Sequence, residues 1–122
     1  MDMEVIDQEF SLCQVEEYSE VNWDSPYIFL GQTDEEKSLV CPSRDVPAHT
    51  IRRDDGWRAL RLKGVFDFSL VGILSKIAAV LAERRISIFA VSTYNTDYVL
   101  VKKEQYEEAL AALAAAGYHV IR

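Results

Sequence analysis

The sequence has only two cysteines, three prolines and five glycines in 122 residues, and it has no long apolar run. A membrane-spanning helix needs about 20 predominantly apolar residues, so we expect no association with a membrane. With 49% hydrophobic and 27% charged residues, the chain is typical of a globular domain and unlike a collagen-like or low-complexity chain. Its first residues are acidic where a secretory signal peptide is basic. We therefore expect a cytoplasmic protein.

Positive charge is also scarce, because 13 lysines and arginines stand against 20 aspartates and glutamates. The formal net charge is −7 at pH 7. An acidic surface repels the phosphate backbone of nucleic acids. The composition therefore predicts no nucleic-acid partner.

The cysteines and histidines show none of the spacings of a metal or redox site. Cys13 and Cys41 each lie in an apolar stretch, and His49 and His119 are isolated in the sequence. Paired Cys-x-x-Cys or Cys/His motifs are what a zinc or thioredoxin-like site requires. We expect two reduced core cysteines, no metal and no cofactor.

The second half of the chain begins with a predicted turn at residues 54–56 and a strand at residues 57–62. Ser69 offers a side-chain oxygen that caps a following helix. The apolar residues of that helix recur at helical spacing; they are Val71, Leu74, Ile77, Ala78 and Leu81.

A hairpin and a second helix follow. Residues 86–93 and 98–101 predict two strands joined by a turn at residues 94–97. Residues 104–116 predict an amphipathic helix that Gly117 ends, and residues 118–121 predict a last strand. The order β-α-β-β-α-β is that of a ferredoxin-like unit.

The first half has a similar order of predicted strands, with short turns in place of the helices. Strands are predicted at residues 9–15, 27–30, 38–41 and 49–53. We therefore predict an α+β protein of two ferredoxin-like units in tandem, a degenerate one over residues 1–55 and a complete one over residues 56–122. In each unit an antiparallel sheet carries its helices on one face.

This topology predicts where a ligand binds. The first strand of the second unit ends at the sheet edge where its hairpin turns, so residues 63–69 and 94–98 become neighbours. A helix start near Ser69 and Gly72 suits a carboxylate, and Asp97 suits an ammonium or guanidinium group. A free amino acid needs both. The candidate ligand-binding residues are Phe68, Ser69, Val71, Gly72, Ile73, Ser92, Thr93, Asn95, Thr96 and Asp97.

Each of these residues also has a structural interpretation. Ser69 can simply cap its helix, Asp97 can bond to its own turn, and Gly72 can relieve helix–sheet packing. Asp67 can either help to cap the helix or repel an incoming carboxylate. The binding hypothesis depends on the predicted meeting of these residues at one edge.

Three segments resemble the ACT domain, namely GVFDFSLVGIL at residues 64–74, LAERRISIF at 81–89 and STYNTDYVLVK at 92–102. More narrowly, they resemble small bacterial tandem-ACT proteins related to the cytosolic arginine sensors of animals. The ACT-like match covers residues 57–121. The preceding half, including residues 38–42, resembles the degenerate first unit of those proteins.

The resemblance implies a regulatory module that binds amino acids at interfaces between ACT units, in dimers. The matching positions are residues 68–73 and 92–97, and the acidic residue that helps to hold the ligand in the arginine sensors corresponds to Asp97. Those sensors have four ACT units in one chain whereas this chain has room for two, so a comparable interface requires a homodimer.

Two other functions compete with an effector-binding module. A ligand-independent dimerisation or interaction module would use an exposed edge strand, for which residues 86–91 are suitable. An enzyme would use Asp67 and Asp97 as paired carboxylates, but neither a nucleophile nor a metal cluster accompanies them in the sequence. We therefore predict a protein without catalytic activity.

Overall fold

The computed structural model describes residues 1–63 and 72–122, which contain seven strands and two α-helices. In chain order the elements are β1 (Asp2–Val15), β2 (Phe29–Gln32), β3 (Lys37–Pro42), β4 (Arg52–Lys63), α1 (Ile73–Glu83), β5 (Ile88–Ser92), β6 (Asp97–Lys102), α2 (Tyr106–Ala115) and β7 (His119–Ile121). The predicted α+β class is confirmed. No helix in the described ranges is long and apolar enough to cross a bilayer.

The chain divides into two compact units. Unit 1 comprises Met1–Asp7 and Arg58–Arg122, and unit 2 comprises Gln8–Trp57. The strands β1 and β4 each contribute residues to both units. The predicted domains at residues 1–55 and 56–122 stay a prediction, and in the structure residues 1–7 group with the second half of the chain.

In unit 1 the two helices cover one face of the sheet. Helix α1 buries Ile77 and Leu81, which belong to the predicted stripe. Helix α2 buries Tyr106, Ala109, Leu110, Ala112 and Leu113, and it ends at Ala115, one residue before the predicted end. These side chains form one core with Met3, Leu60, Leu62, Val99 and Val101 of the strands.

The sheet of unit 1 confirms one predicted pairing and adds the N-terminal part of β1, for which no strand was predicted. Strand β4 is bonded to β6, as expected of the first and third strands of a ferredoxin-like unit, and β5 lies beyond β6 at the edge. The last strand, β7, pairs in parallel with β1, with Asp2 opposite His119 and Glu4 opposite Ile121. The N-terminal residues, for which no strand was predicted, therefore form part of the sheet of unit 1.

Unit 2 consists of strands and short turns. Strand β3 lies between β1 and β2 and pairs antiparallel with both, with Cys13 opposite Leu39 and Cys41 opposite Ser11. All residues of this unit are described, and none of them is in an α-helix. In place of helices, which were predicted as short turns in the first half, Ser43–Asp45 forms one 3₁₀ turn.

The predicted turn at residues 54–56 is wrong, because β4 continues through it from Arg52 to Lys63. Gly56 has φ +82°, a left-handed backbone conformation within the strand that glycine adopts without steric cost. Asp55 is held by a long-range bond, since its Oδ1 accepts a hydrogen bond from Ser11 Oγ at 2.5 Å, in addition to a local one from Arg53 Nε at 2.8 Å. The local turn composition is thus overridden by contacts with distant residues.

Candidate functional site

The hairpin of β5 and β6 ends in a four-residue loop that its own hydrogen bonds close. Ser92 lies opposite Asp97 at the last pair of the ladder. The Thr93 backbone N–H donates to the Thr96 carbonyl at 2.8 Å, and the Thr93 hydroxyl donates to the same carbonyl at 3.0 Å. Such a doubly closed loop holds Asn95 and Thr96 in a fixed position relative to the strands.

The loop is fastened to the end of β4. The Thr96 hydroxyl donates to the carbonyl of Leu62 at 2.8 Å, although the two residues are 34 positions apart. The predicted meeting of the first strand's end with the hairpin turn is thereby confirmed for the described residues up to Lys63. Residues 64–71, which include the predicted site residues Phe68, Ser69 and Val71, lie outside the described residues.

A groove of about 320 Å³ lies where the loop meets β4. Its described lining residues are Arg61, Leu62, Lys63, Thr93, Asn95, Thr96 and Tyr98. Three of the predicted site residues, Thr93, Asn95 and Thr96, are brought together here. None of the described lining residues is acidic.

Asp97 lies on the opposite side of the sheet from this groove. Successive side chains of a strand point to opposite faces. Val99 and Val101 belong to the helix-covered core, so Asp97 shares their face, whereas Thr96 and Tyr98 line the groove. The Asp97 Oδ1 accepts a hydrogen bond from Ser92 Oγ at 2.6 Å. The predicted residues of the hairpin are therefore divided between two faces.

The start of α1 supplies the remaining described part of the predicted site. Gly72, rather than Ser69, occupies the N-cap position, with φ +80°, and its carbonyl accepts a hydrogen bond from the Lys76 backbone N–H at 2.9 Å. A Cβ built on Gly72 meets no atom of the described part of the chain within 4 Å. This glycine is therefore needed for its left-handed backbone and not for close packing. Ile73 is half-buried against the core.

Arg61 is a residue of the site region that the sequence did not single out. Its Nε and Nη2 both donate to Glu4 Oε1, with 3.1 Å for the Nε contact, and its Nη1 lies 3.4 Å from the Tyr98 hydroxyl. Hydrogen bonding to Arg61 lowers the pKa of Glu4 from its ordinary value of 4.5. An arginine between two fully buried leucines of one strand was the available signal, but its partner Glu4 lies in the N-terminal part of β1, where no strand was predicted.

Unit 2 has a separate cavity of about 540 Å³, lined by Glu16, Glu17, Glu20, Ala48, His49, Thr50 and Ile51. Glu20 accepts hydrogen bonds from the His49 backbone N–H at 3.1 Å and contacts His49 Nδ1 at 2.8 Å. Hydrogen bonding with Glu20 raises the pKa of His49 from 6.5. His49, isolated in the sequence, thus has a partner 29 residues away. Within residues 1–63 and 72–122, no three acidic, histidine or cysteine side chains are grouped to hold a metal ion.

The sequence and the fold were compared with known proteins. The family description "ACT domain" matches residues 52–115, more than half of the chain. No curated protein matches the sequence.

Among solved structures, a protein of Agobacterium tumefaciens is 27% identical, with a TM-score of 0.84 over 98% of this chain and 91% of that chain. A Vibrio cholerae protein described as of unknown function and a possible transport protein is 21% identical, with a TM-score of 0.70 over 93% and 88%. The ligand-free regulatory subunit of aspartate kinase from Thermus thermophilus is 12% identical, with a TM-score of 0.64 over 94% and 96%. The last two likenesses concern the fold alone.

Proposed function

Because this chain belongs to the ACT domain family, we propose that it is a non-catalytic regulatory module that binds an amino acid or a similar small effector. Its fold is shared with a regulatory subunit of aspartate kinase, which supports a regulatory role. Asp67 of the enzyme alternative lies outside the described residues.

The observation that carries the proposal is the position of Asp97 on the helix-covered face at the end of the hairpin. Its carboxylate is an acceptor for the ammonium group that every free amino acid has, and Ser92 orients it through the 2.6 Å hydrogen bond. The first backbone N–H groups of α1, from Ile73 onwards, have no partner within the helix and suit the carboxylate of the same ligand.

The finer parts of the proposal come from the sequence resemblance. We propose a tandem of two ACT-type units related to the bacterial relatives of the arginine sensors, with the effector bound at an ACT–ACT interface in a homodimer. The two free cysteines, Cys13 and Cys41, fit a reducing compartment, and we propose a cytoplasmic location.

The test is a thermal-shift screen of the full chain against the twenty amino acids. A ligand at about 100 times its Kd adds roughly 2.7 kcal/mol of stability, which is several degrees for a chain of this size. The variant Asp97→Asn retains the shape of the side chain but removes its charge, and we expect it to lose the response. The matched control is Asp24→Asn, an exposed aspartate of unit 2. A flat response over the whole panel, or an equal response of Asp97→Asn, would contradict the proposal.

A ligand-independent dimerisation module is the second candidate, and the edge strand β5 favours it. This strand ends the strand order of the sheet, and its residues Ile88, Phe89, Ala90 and Val91 are uncharged in a chain of net charge −7. An uncharged edge lacks the features that prevent pairing with another copy. Light scattering after size exclusion decides this, because a dimer that forms without effector and dissociates in Ala90→Lys supports the scaffold.

A further inference from the structure

The groove at the end of β4 is basic in an acidic protein. Arg61 and Lys63 both line it, whereas none of its described lining residues carries a negative charge. The whole chain has a formal net charge of −7. Two cations at the mouth of one small groove are therefore a local reversal of the overall charge, and such a reversal attracts small anions.

Glu4 compensates these two charges unequally. It accepts both hydrogen bonds from the Arg61 guanidinium, but its Oε2 lies 4.0 Å from Lys63 Nζ, beyond hydrogen-bond distance. The lowered pKa of Glu4 is consistent with a carboxylate committed mainly to Arg61. The ammonium of Lys63, on a side chain that is 47% exposed, therefore keeps its capacity to bind a second carboxylate or phosphate.

The other lining groups suit the same kind of ligand. Asn95 is exposed on the loop and has an amide NH₂ that donates two hydrogen bonds. The hydroxyls of Thr93 and Thr96 are fixed by the hydrogen bonds that close and fasten the loop, so the loop is already positioned before a ligand arrives. Preorganisation of this kind reduces the entropic cost of binding. The volume of about 320 Å³ is at the lower end of the range for ligand pockets.

We propose that this groove binds a small oxyanion-bearing metabolite, with the oxyanion against Lys63 and Asn95. The site differs from that of the proposed effector, because Asp97 lies on the opposite face of the sheet and repels anions. A carboxylate and a phosphate share the required chemistry. The proposal concerns binding and requires no reaction.

The test is isothermal titration of the full-length chain with succinate and inorganic phosphate as anionic probes and with putrescine as a cationic probe of similar length to succinate. We expect the anions to bind, putrescine to fail, and the affinity to fall with added salt because the contact is exposed. Preference for succinate would identify the ligand as a carboxylate, and preference for phosphate would identify it as a phosphate ester. Saturation by neither anion at about a thousandfold excess over protein, or preference for putrescine, would overturn the proposal.

Variants of the groove sharpen the test. Lys63→Gln should weaken anion binding by about tenfold, the loss of one charge-assisted hydrogen bond. Glu4→Gln should strengthen it, because the competing carboxylate is removed. Asn95→Asp changes only an exposed loop residue and should weaken binding even if Glu4→Gln disturbs the fold. The matched control is Lys76→Gln, an exposed lysine of α1. If Lys76→Gln weakened binding as much as Lys63→Gln, attraction by overall charge would replace the groove as the explanation.

The amino-acid screen described above separates the failure of this proposal from that of the effector proposal. An amino-acid response lost in Asp97→Asn, together with no succinate or phosphate binding, would overturn the groove alone. Anion binding lost in Lys63→Gln, together with a flat amino-acid response, would overturn the effector site alone.

Discussion

The two units of the molecule are stabilised in different ways. In unit 1 two helices pack an apolar core against the sheet, and Leu81 and Leu113 at its centre are fully buried. In unit 2 strands and turns enclose a core that includes both cysteines, Val15, Val21 and Leu39. A polar network accompanies that core, since the fully buried Ser11 bonds to the half-buried Ser43 at 2.7 Å and to the exposed Asp55 at 2.5 Å.

This difference shows how a small unit without α-helices is specified. A unit that buries little apolar surface gains little from burial alone, and a satisfied buried network adds directional constraints. The stability of unit 2 therefore depends on particular hydrogen-bond donors and acceptors. The stability of unit 1 depends on the volume and shape of its buried side chains. The predictions below test this contrast, using the helices of unit 1 for circular dichroism and both tryptophans, Trp23 and Trp57 of unit 2, for fluorescence.

The largest expected effect is the protection of the Cys41 thiol in unit 2. Burial, with a contribution from the neighbouring Cys13, raises the pKa of Cys41 to about 12. The thiolate is the reactive species, so a rise of about three units from 9.0 implies an alkylation rate about 1,000-fold slower than in the unfolded chain.

Site-resolved mass spectrometry after iodoacetamide treatment measures this protection, with the urea-unfolded chain as the reference. Cys13, whose pKa burial also raises, should be protected as well. Rapid labelling of Cys41 under native conditions would mean that the core of unit 2 opens readily. It would contradict the view that unit 2 has a well-packed core of its own.

The next effect is the loss of core volume in unit 1. Leu113→Ala leaves a cavity between α2 and the sheet, where the side chain is fully buried. We expect a loss of about 2–5 kcal/mol in the free energy of unfolding, measured by urea titration with circular dichroism. Leu30→Ala is the control, because that leucine is 41% exposed and should cost much less. Equal losses in both variants would show that the burial of Leu113 contributes no more to the free energy of unfolding than an exposed leucine does.

A smaller effect is expected from the polar network of unit 2. Ser11→Ala removes a fully buried hydroxyl that bonds to Ser43 and to the exposed Asp55. We expect a cost of about 0.5–1.5 kcal/mol, the ordinary net value of a hydrogen bond, measured by urea titration with tryptophan fluorescence. Ser19→Ala removes an exposed serine hydroxyl that bonds to Glu17 and should cost a few tenths of a kcal/mol at most. If Ser11→Ala were as mild as Ser19→Ala, the network would not stabilise unit 2.

The contrast between the units also explains how far the sequence predicted the fold. The helices of unit 1 were recognisable because apolar residues such as Ile77 and Leu81 recur at helical spacing, a local signal. Residues 2–8 were missed, and the strand partners of residues 2–4 lie in β7, more than 100 positions away. The turn predicted at residues 54–56 failed for the same reason, since Asp55 is bonded to Ser11. Local patterns do not contain such partners.

The candidate site was predictable only in part. The predicted strand order correctly placed the hairpin loop beside the end of β4, as the hydrogen bond between Thr96 and Leu62 shows. It did not reveal that Asp97 is the first residue of β6 and not a loop residue. That shift of one position decides the face on which a side chain lies, and it separates Asp97 from Thr96 and Asn95. The contribution of Arg61 and Glu4 depended on the unpredicted N-terminal strand.

The smallest expected effect is a difference in pH dependence between one ion pair of each unit. In unit 1, hydrogen bonding to Arg61 lowers the pKa of Glu4 from 4.5. In unit 2, hydrogen bonding with His49 lowers the pKa of Glu20 from 4.5, and the same bond raises the pKa of His49 from 6.5. A lowered carboxylate pKa gives stability that is lost as pH falls through the folded value, and a raised histidine pKa gives stability that is lost as pH rises through it.

The Glu20–His49 pair should therefore contribute most between pH 4.5 and 6.5, the ordinary values of its two members. The Glu4–Arg61 pair should contribute equally from about pH 6 to about pH 9, because arginine stays charged throughout. Urea unfolding of His49→Gln and Glu4→Gln, each compared with the parent chain at a series of pH values, measures both contributions. A His49→Gln difference that stayed constant up to pH 9 would show that the histidine acts as a neutral hydrogen-bond partner. In that case the electrostatic contrast between the two units would disappear, because both pairs would then depend on the ionisation of a carboxylate alone.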